Sequence, residues 1–225
     1  MTRNEQFRAL FKKNEPFVCM GAHDAITAKL AEQCGAPAIF VSGFVAAGIV
    51  AGLPDVGSLS QTEMFDHIRR VCRATNLPVL ADADTGYGGI LDVQRTIQLW
   101  EEAGASCLHI EDQVLPKKCG HFAGKQVVAK EEMVQKLRAM IAARRDPDFF
   151  IVARTDAIAV TGLADAIDRL EAYAKAGADG LYADALESEA QMRELTDRLT
   201  PFEEYNRFVG LDAAVARERQ FSVGG

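Results

Sequence analysis

Short apolar runs alternate with longer amphipathic stretches through most of this 225-residue chain. The runs stand at residues 17–21, 38–43, 78–82, 107–111, 149–154 and 180–183. Stretches with helical spacing lie between them, at 25–33, 61–74, 91–103, 130–143 and 163–176. Strands alternating with helices of that length build βαβ units, and such units make a parallel sheet. A weak repeat agrees. Cys34-Gly35-Ala36, Ala103-Gly104-Ala105 and Ala176-Gly177-Ala178 each close a helical stretch and precede an apolar run. Glycine at that place supplies the left-handed backbone that ends a helix.

Polar residues gather at the C-terminal ends of the runs. His23 and Asp24 follow the first and Ser42 ends the second; Asp82 and Asp84 end the third, Glu111 and Asp112 the fourth. Arg154 and Asp156 close the fifth, and Asp184 follows the sixth. An open doubly wound sheet binds ligands at one switch point, whereas a (β/α)₈ barrel collects its chemistry from every strand end. Because every run contributes, the expected class is α/β of the (β/α)₈ TIM-barrel type. After residue 183 the pattern changes to a charged helix at 187–199, then Pro201, then helical readings at 202–209 and 211–221. The expectation is therefore an incomplete barrel of about six parallel strands plus C-terminal helices. Residues 1–200 are expected to form the barrel-type catalytic domain and 201–225 a helical tail. An open parallel sheet also leaves two edges whose backbone groups need partners.

Composition narrows the function classes. A net charge of −7 argues against nucleic acid and anionic membrane surfaces, both of which select a basic stripe. No run approaches the length of a spanning helix, and the charged start does not read as a signal peptide. Five scattered cysteines fit a reducing, cytoplasmic setting rather than a disulfide frame. Walker, GxGxxG, GxSxG and zinc-spacing motifs are absent from the sequence, which removes nucleotide hydrolysis, dinucleotide redox chemistry and serine hydrolysis as leading ideas.

Four constellations carry chemistry. Strand periodicity puts Asp82 and Asp84 on one face, where two close carboxylates repel unless a cation joins them; the alternative is a solvated turn after an edge strand. All-oxygen ligation suits Mg²⁺, with Mn²⁺ as the alternative. Glu111 either joins the same ion, directly or through water, or is a surface or capping acid. The loop at residues 114–125 holds Lys117, Lys118, Cys119, Gly120, His121 and Lys125. Lysines beside a thiol raise its reactivity, and a loop of this size has the proportions of a lid. His23 is a candidate for the mouth, while His67 and His109 read as structural. Arg154, ending a buried strand, either pairs with Asp156 or clamps a substrate carboxylate.

Taken together, these residues resemble the isocitrate lyase/phosphoenolpyruvate mutase superfamily. The segments that carry the likeness are Ser42-Gly43-Phe44, Gly52-Leu53-Pro54-Asp55-Val56-Gly57, Asp82-Ala83-Asp84-Thr85-Gly86-Tyr87-Gly88, Glu111-Asp112-Gln113, Lys117-Lys118-Cys119-Gly120-His121 and Ala153-Arg154-Thr155-Asp156. The Lys-Lys-Cys-Gly-His loop is similar to the lyase branch, which holds the methylisocitrate and 2,3-dimethylmalate lyases. The resemblance implies a metal set of Asp82 and Asp84, with Asp55 and Glu111 supporting through water. It implies substrate contacts from Ser42, Gly43, Phe44, Gly120, Arg154 and Asp184. The implied catalytic group is Cys119 as general acid, with Lys117, His121 and Glu111 around it. The implied reaction is Mg²⁺-dependent retro-aldol cleavage of a 2-hydroxy di- or tricarboxylate, a small anionic substrate, into a 2-oxo acid and a second carboxylic acid. Oxaloacetate or 2-oxo acid decarboxylation at the same metal is the alternative chemistry, and a shortened non-catalytic member is the other reading. Phe44 stands where relatives carry a small residue or Trp, and Asp184 near a glutamate of methylisocitrate lyase. The seventh and eighth βα units of the family are expected to be missing. The terminal helices of the family pack on a neighbouring subunit, which implies a homo-oligomer, dimer or tetramer.

Overall fold

The computed structural model describes residues 1–12, 16–120 and 122–199, and residues 206–209 by their backbone. Seven strands lie in one parallel sheet in chain order. They are β1 Cys19–Gly21, β2 Ala38–Val41, β3 Val79–Asp82, β4 Cys107–Glu111, β5 Phe150–Thr155, β6 Gly180–Ala183 and β7 Asn206–Val209. Between them run α2 Ala25–Gln33, α3 Gly43–Ala46, α4 Gln61–Ala74, α5 Ile90–Ala103, α6 Lys130–Ala143, α7 Leu163–Lys175 and α8 Glu189–Leu199, after an N-terminal α1 at Arg3–Lys12. β1 and β7 are the two ends of the sheet, so among the described residues the barrel is an open half-barrel.

The period of two along each strand sorts side chains between two compartments. Ile39, Val41, Val79, Ala81, Leu108, Ile110, Ile151, Ala153, Leu181 and Ala183 belong to the core shared with the helices. Ala38, Leu80, Cys107, Phe150 and Val152 form a second cluster inside the barrel, with Phe40 and Tyr182 packed on it. Toward the strand ends the inner series turns polar: Leu80 leads to Asp82, Cys107 to His109 and Glu111, and Val152 to Arg154. The floor is closed by α1. Phe11 stacks on Phe150 at 4.9 Å, and Phe7 meets the same ring edge-on at 5.5 Å. Arg8 ties the helix down through Asp179 at 2.8 Å.

Local chemistry explains why the helices start and stop where they do. Asp24 and Thr27 form a capping box for α2, and Ser60 and Glu63 one for α4. Gly104 closes α5 at φ +92°, a conformation that a β-carbon would penalise. Residues 206–209 correct an expectation. They read as helix in the sequence, but they pair in parallel with β6, from Gly180↔Asn206 to Ala183↔Val209. Without them the outer backbone groups of β6 would lack partners, and hydrogen-bond demand from a sheet edge outweighs a weak helical spacing. The rest of the segment expected as a helical tail lies outside the described residues. No helix among the described residues is long and apolar enough to cross a membrane.

Candidate active site

A cavity of about 430 Å³ opens at the C-terminal ends of the strands. Ser42, Phe44, Asp55, Asp82, Lys117, Cys119, Gly120, Arg154 and Asp184 line it with His109, Tyr182 and an apolar base of Phe40, Leu80 and Val152. Barrel geometry accounts for the gathering, since each polar residue ends an inner-face series or sits in the loop that follows one.

The carboxylate pair is built by a turn rather than by a continuous strand. β3 ends at Asp82, and Asp84 follows with a left-handed backbone at φ +45°. The Asp84 N–H donates to Asp82 Oδ1 at 2.9 Å, and the Gly43 N–H donates to Asp82 Oδ2 at 2.9 Å. A β-carbon on Gly43 would stand 2.8 Å from Asp82 Oδ2 and 3.2 Å from Asp84 Oδ1, so only glycine lets the backbone come this close. Behind the pair, the Trp100 indole donates from Nε1 to the Asp82 carbonyl at 3.0 Å.

Lys117 supplies the positive charge nearest the pair. Its Nζ lies 2.6 Å from Asp55 Oδ1 and 2.9 Å from Asp84 Oδ1. Burial alone would raise the pKa of Asp82, but the His109 ring and the Lys117 ammonium outweigh it and hold the group at about 2. Burial and the neighbouring Asp82 charge push Asp84 up to about 6. Lys117 is desolvated, yet the surrounding carboxylates raise its pKa, so it stays an ammonium. Among the described residues, no three His, Cys, Asp or Glu side chains are grouped closely enough to hold a metal ion.

Arg154 heads a second cluster. Its Nε and Nη2 donate to Asp156 Oδ2 and Oδ1, each at 2.9 Å, and Nη2 lies 3.4 Å from Asp184 Oδ1. The pairing with Asp156 is thus present, and Arg154 also stands in the cavity wall. Glu111 stands behind it. Its Oε2 lies 3.4 Å from Arg154 Nε, its Oε1 accepts from Gln113 Nε2 at 2.9 Å, and burial raises its pKa well above the ordinary range. Cys119 is buried on the cavity wall, and its N–H donates to the Asp55 carbonyl at 2.9 Å. Phe44 stays 55% exposed at the mouth, and Ser42 precedes α3. His121 lies outside the described residues.

Two residues join the cavity wall without having been assigned to it: His109, which read as structural, and Tyr182. His109 and Tyr182 share inner-face parity with Glu111 and Asp184, and that parity was a usable signal. Lys125 bonds to Asp156 and Asp184 across separations of 31 and 59 residues, which no local pattern announces.

The family model described as phosphoenolpyruvate phosphomutase matches residues 7–220. This chain belongs to the PEP mutase/isocitrate lyase superfamily. Over 199 residues it is 41% identical to 2,3-dimethylmalate lyase of Eubacterium barkeri, covering 88% of this chain and 69% of that protein. Over 196 residues it is 46% identical to 2-methylisocitrate lyase of Halalkalibacterium halodurans, covering 87% of this chain and 64% of the relative. The chain thus spans about two thirds of the length of the curated relatives it matches. Among solved superfamily structures, oxaloacetate acetylhydrolase in complex with 3,3-difluorooxalacetate superposes with a TM-score of 0.87 at 28% identity, over 99% of this chain and 84% of that one. Phosphonopyruvate hydrolase in complex with oxalate and Mg²⁺ gives 0.81 at 28% identity, over 99% and 84%. The relatives at this level of identity place the chain in the lyase branch of the superfamily.

Proposed function

We propose that this site performs Mg²⁺-dependent carbon–carbon cleavage of a 2-hydroxy di- or tricarboxylate of the methylisocitrate or dimethylmalate type. The products are a 2-oxo acid and a second carboxylic acid. The observation that carries the reading is one cavity wall shared by the Cys119 thiol, the Arg154 cation and the Asp82–Lys117 cluster. Asp82 and Asp84 are two buried carboxylates side by side, and burial together with the Asp82 charge pushes Asp84 up to about 6. A hard divalent ion would relieve that repulsion, and an all-oxygen donor pair fits one. Asp82 and Asp84 would hold Mg²⁺, or Mn²⁺ in its place, with Asp55 and Glu111 supporting through water. When bound, the ion supplies Lewis-acid polarisation of the oxygen at the cleaved carbon.

The chain's own residues do the rest. Arg154 keeps Nη1 outside its fork on Asp156, and that donor takes a substrate carboxylate. Ser42, Gly43, Phe44, Gly120 and Asp184 shape the space around it. A rim carboxylate takes the hydroxyl proton, the carbon–carbon bond breaks, and its electron pair passes to the departing carbon. Cys119 protonates that carbon from Sγ, and proton return through solvent restores the thiol. Lys117 offsets the negative charge that builds during the step.

The test is incubation with Mg²⁺ and a panel of alkyl-substituted citrates and malates, with 2-oxo acid release as readout. Cys119→Ser is expected to lower kcat by about 10²–10⁴-fold while Mg²⁺ binding persists; full activity in that variant overturns the general-acid role. The likeness to oxaloacetate acetylhydrolase favours one further substrate, oxaloacetate. Decarboxylation needs no thiol acid, so oxaloacetate turnover that survives Cys119→Ser selects that chemistry. No product from any acid, with a non-cooperative melt, selects a non-catalytic member. A homo-oligomer, dimer or tetramer, is part of the same proposal, and light scattering reads it directly.

A further inference from the structure

The Lys125 side chain is 1% exposed and takes no place in the cavity wall. An ammonium has three N–H donors and no acceptor. All three have partners here: the Gly120 carbonyl at 2.6 Å, Asp156 Oδ1 at 2.9 Å and Asp184 Oδ2 at 3.1 Å. No donor remains for a substrate, so any effect of Lys125 on chemistry passes through these groups. The same two carboxylates serve Arg154, forked on Asp156 and 3.4 Å from Asp184.

Gly120 gives an independent observation. A β-carbon there would stand 2.4 Å from Asp184 Oδ2 and 2.8 Å from Arg154 Nη2. The loop backbone therefore rests directly on the Arg154–Asp184 pair, and a methyl group would force the loop and the pair apart.

We propose that Lys125 is a positioning residue: by tying Gly120 to Asp156 and Asp184 it seats Cys119 on the cavity wall in register with Arg154. The catalytic consequence rests on the lyase reading, whereas the seating does not.

Peptide-resolved alkylation by iodoacetamide tests it without substrate. Cys34 is exposed and serves as the reference, while the buried Cys72 and Cys107 report general opening. In Lys125→Met the Cys119 rate is expected to rise by about tenfold or more, as local opening allows, with Cys72 and Cys107 unchanged. Gly120→Ala keeps every charge and is expected to give the same selective rise, which decides the matter should Lys125→Met not fold. An unchanged Cys119 rate in the folded variant overturns the proposal. So does a parallel rise at Cys72 and Cys107, which would make Lys125 merely structural. In an active enzyme, kcat of Lys125→Met falls by about 10–100-fold while KM moves far less, as expected for a displaced reacting group. Absence of turnover in the wild type sinks the lyase reading alone, because the alkylation rates still decide the seating.

Discussion

Gly43 makes a bond that its nearest substitute would break. Its N–H holds Asp82 Oδ2, and an added β-carbon would sit within 2.8 Å of the same oxygen. Under the proposed Mg²⁺-dependent reading, Gly43→Ala is expected to weaken Mg²⁺ binding and turnover by about 10–100-fold, the range for disturbed support of a metal ligand, as a Mg²⁺ titration would show. Asp156 yields a pH prediction. Burial would raise its pKa, but Arg154, followed by Lys125, holds it at about 2. An unfolded aspartate titrates near about 3.9, so the folded group is the more acidic. Its stabilisation is whole above that unfolded value and disappears as pH falls through about 2. Asp156→Asn is therefore expected to cost about 2–3 kcal/mol at neutral pH, with the gap to wild type closing in urea titrations run between about pH 4 and pH 2. At this scale the sequence exposes residues that end apolar runs, such as Asp82 and Arg154, because strand parity is local. It hides the partners of Lys125, two carboxylates that arrive only after two further strands have folded.

The inner and outer faces of the strands are the element-level design. Helices α2 and α4 begin where capping residues and periodicity place them, and α6 follows periodicity alone, because these signals are local. The role of α1 follows from tertiary packing instead. Phe7 is fully buried against Phe150 inside the barrel, so Phe7→Ala is expected to cost about 3–5 kcal/mol in urea unfolding. The cavity at the opposite end should then loosen from below, since Phe150 and Val152 share that inner cluster. β7 shows the limit of local reading. Asn206-Arg207-Phe208-Val209 has no alternation long enough to announce a strand, and the hydrogen-bonding edge of β6 decides its conformation.

At the scale of the molecule, the sheet is open among the described residues, which shifts the burden of edge protection to its terminal strands. β1 is only three residues long, which limits pairing there. β7 covers the far side, so a chain cut after Leu199 leaves β6 as a bare edge. That truncation is expected to melt lower and to associate with rising concentration, as size-exclusion profiles across a dilution series would show. The chain also contains a single tryptophan, fully buried, whose indole nitrogen is bonded 3.0 Å from the Asp82 carbonyl. Its ultraviolet emission comes from one known address, a few bonds from the carboxylates. Charge arriving there changes the electric field across the ring, so the unlabelled protein already carries its own optical gauge of what enters the mouth.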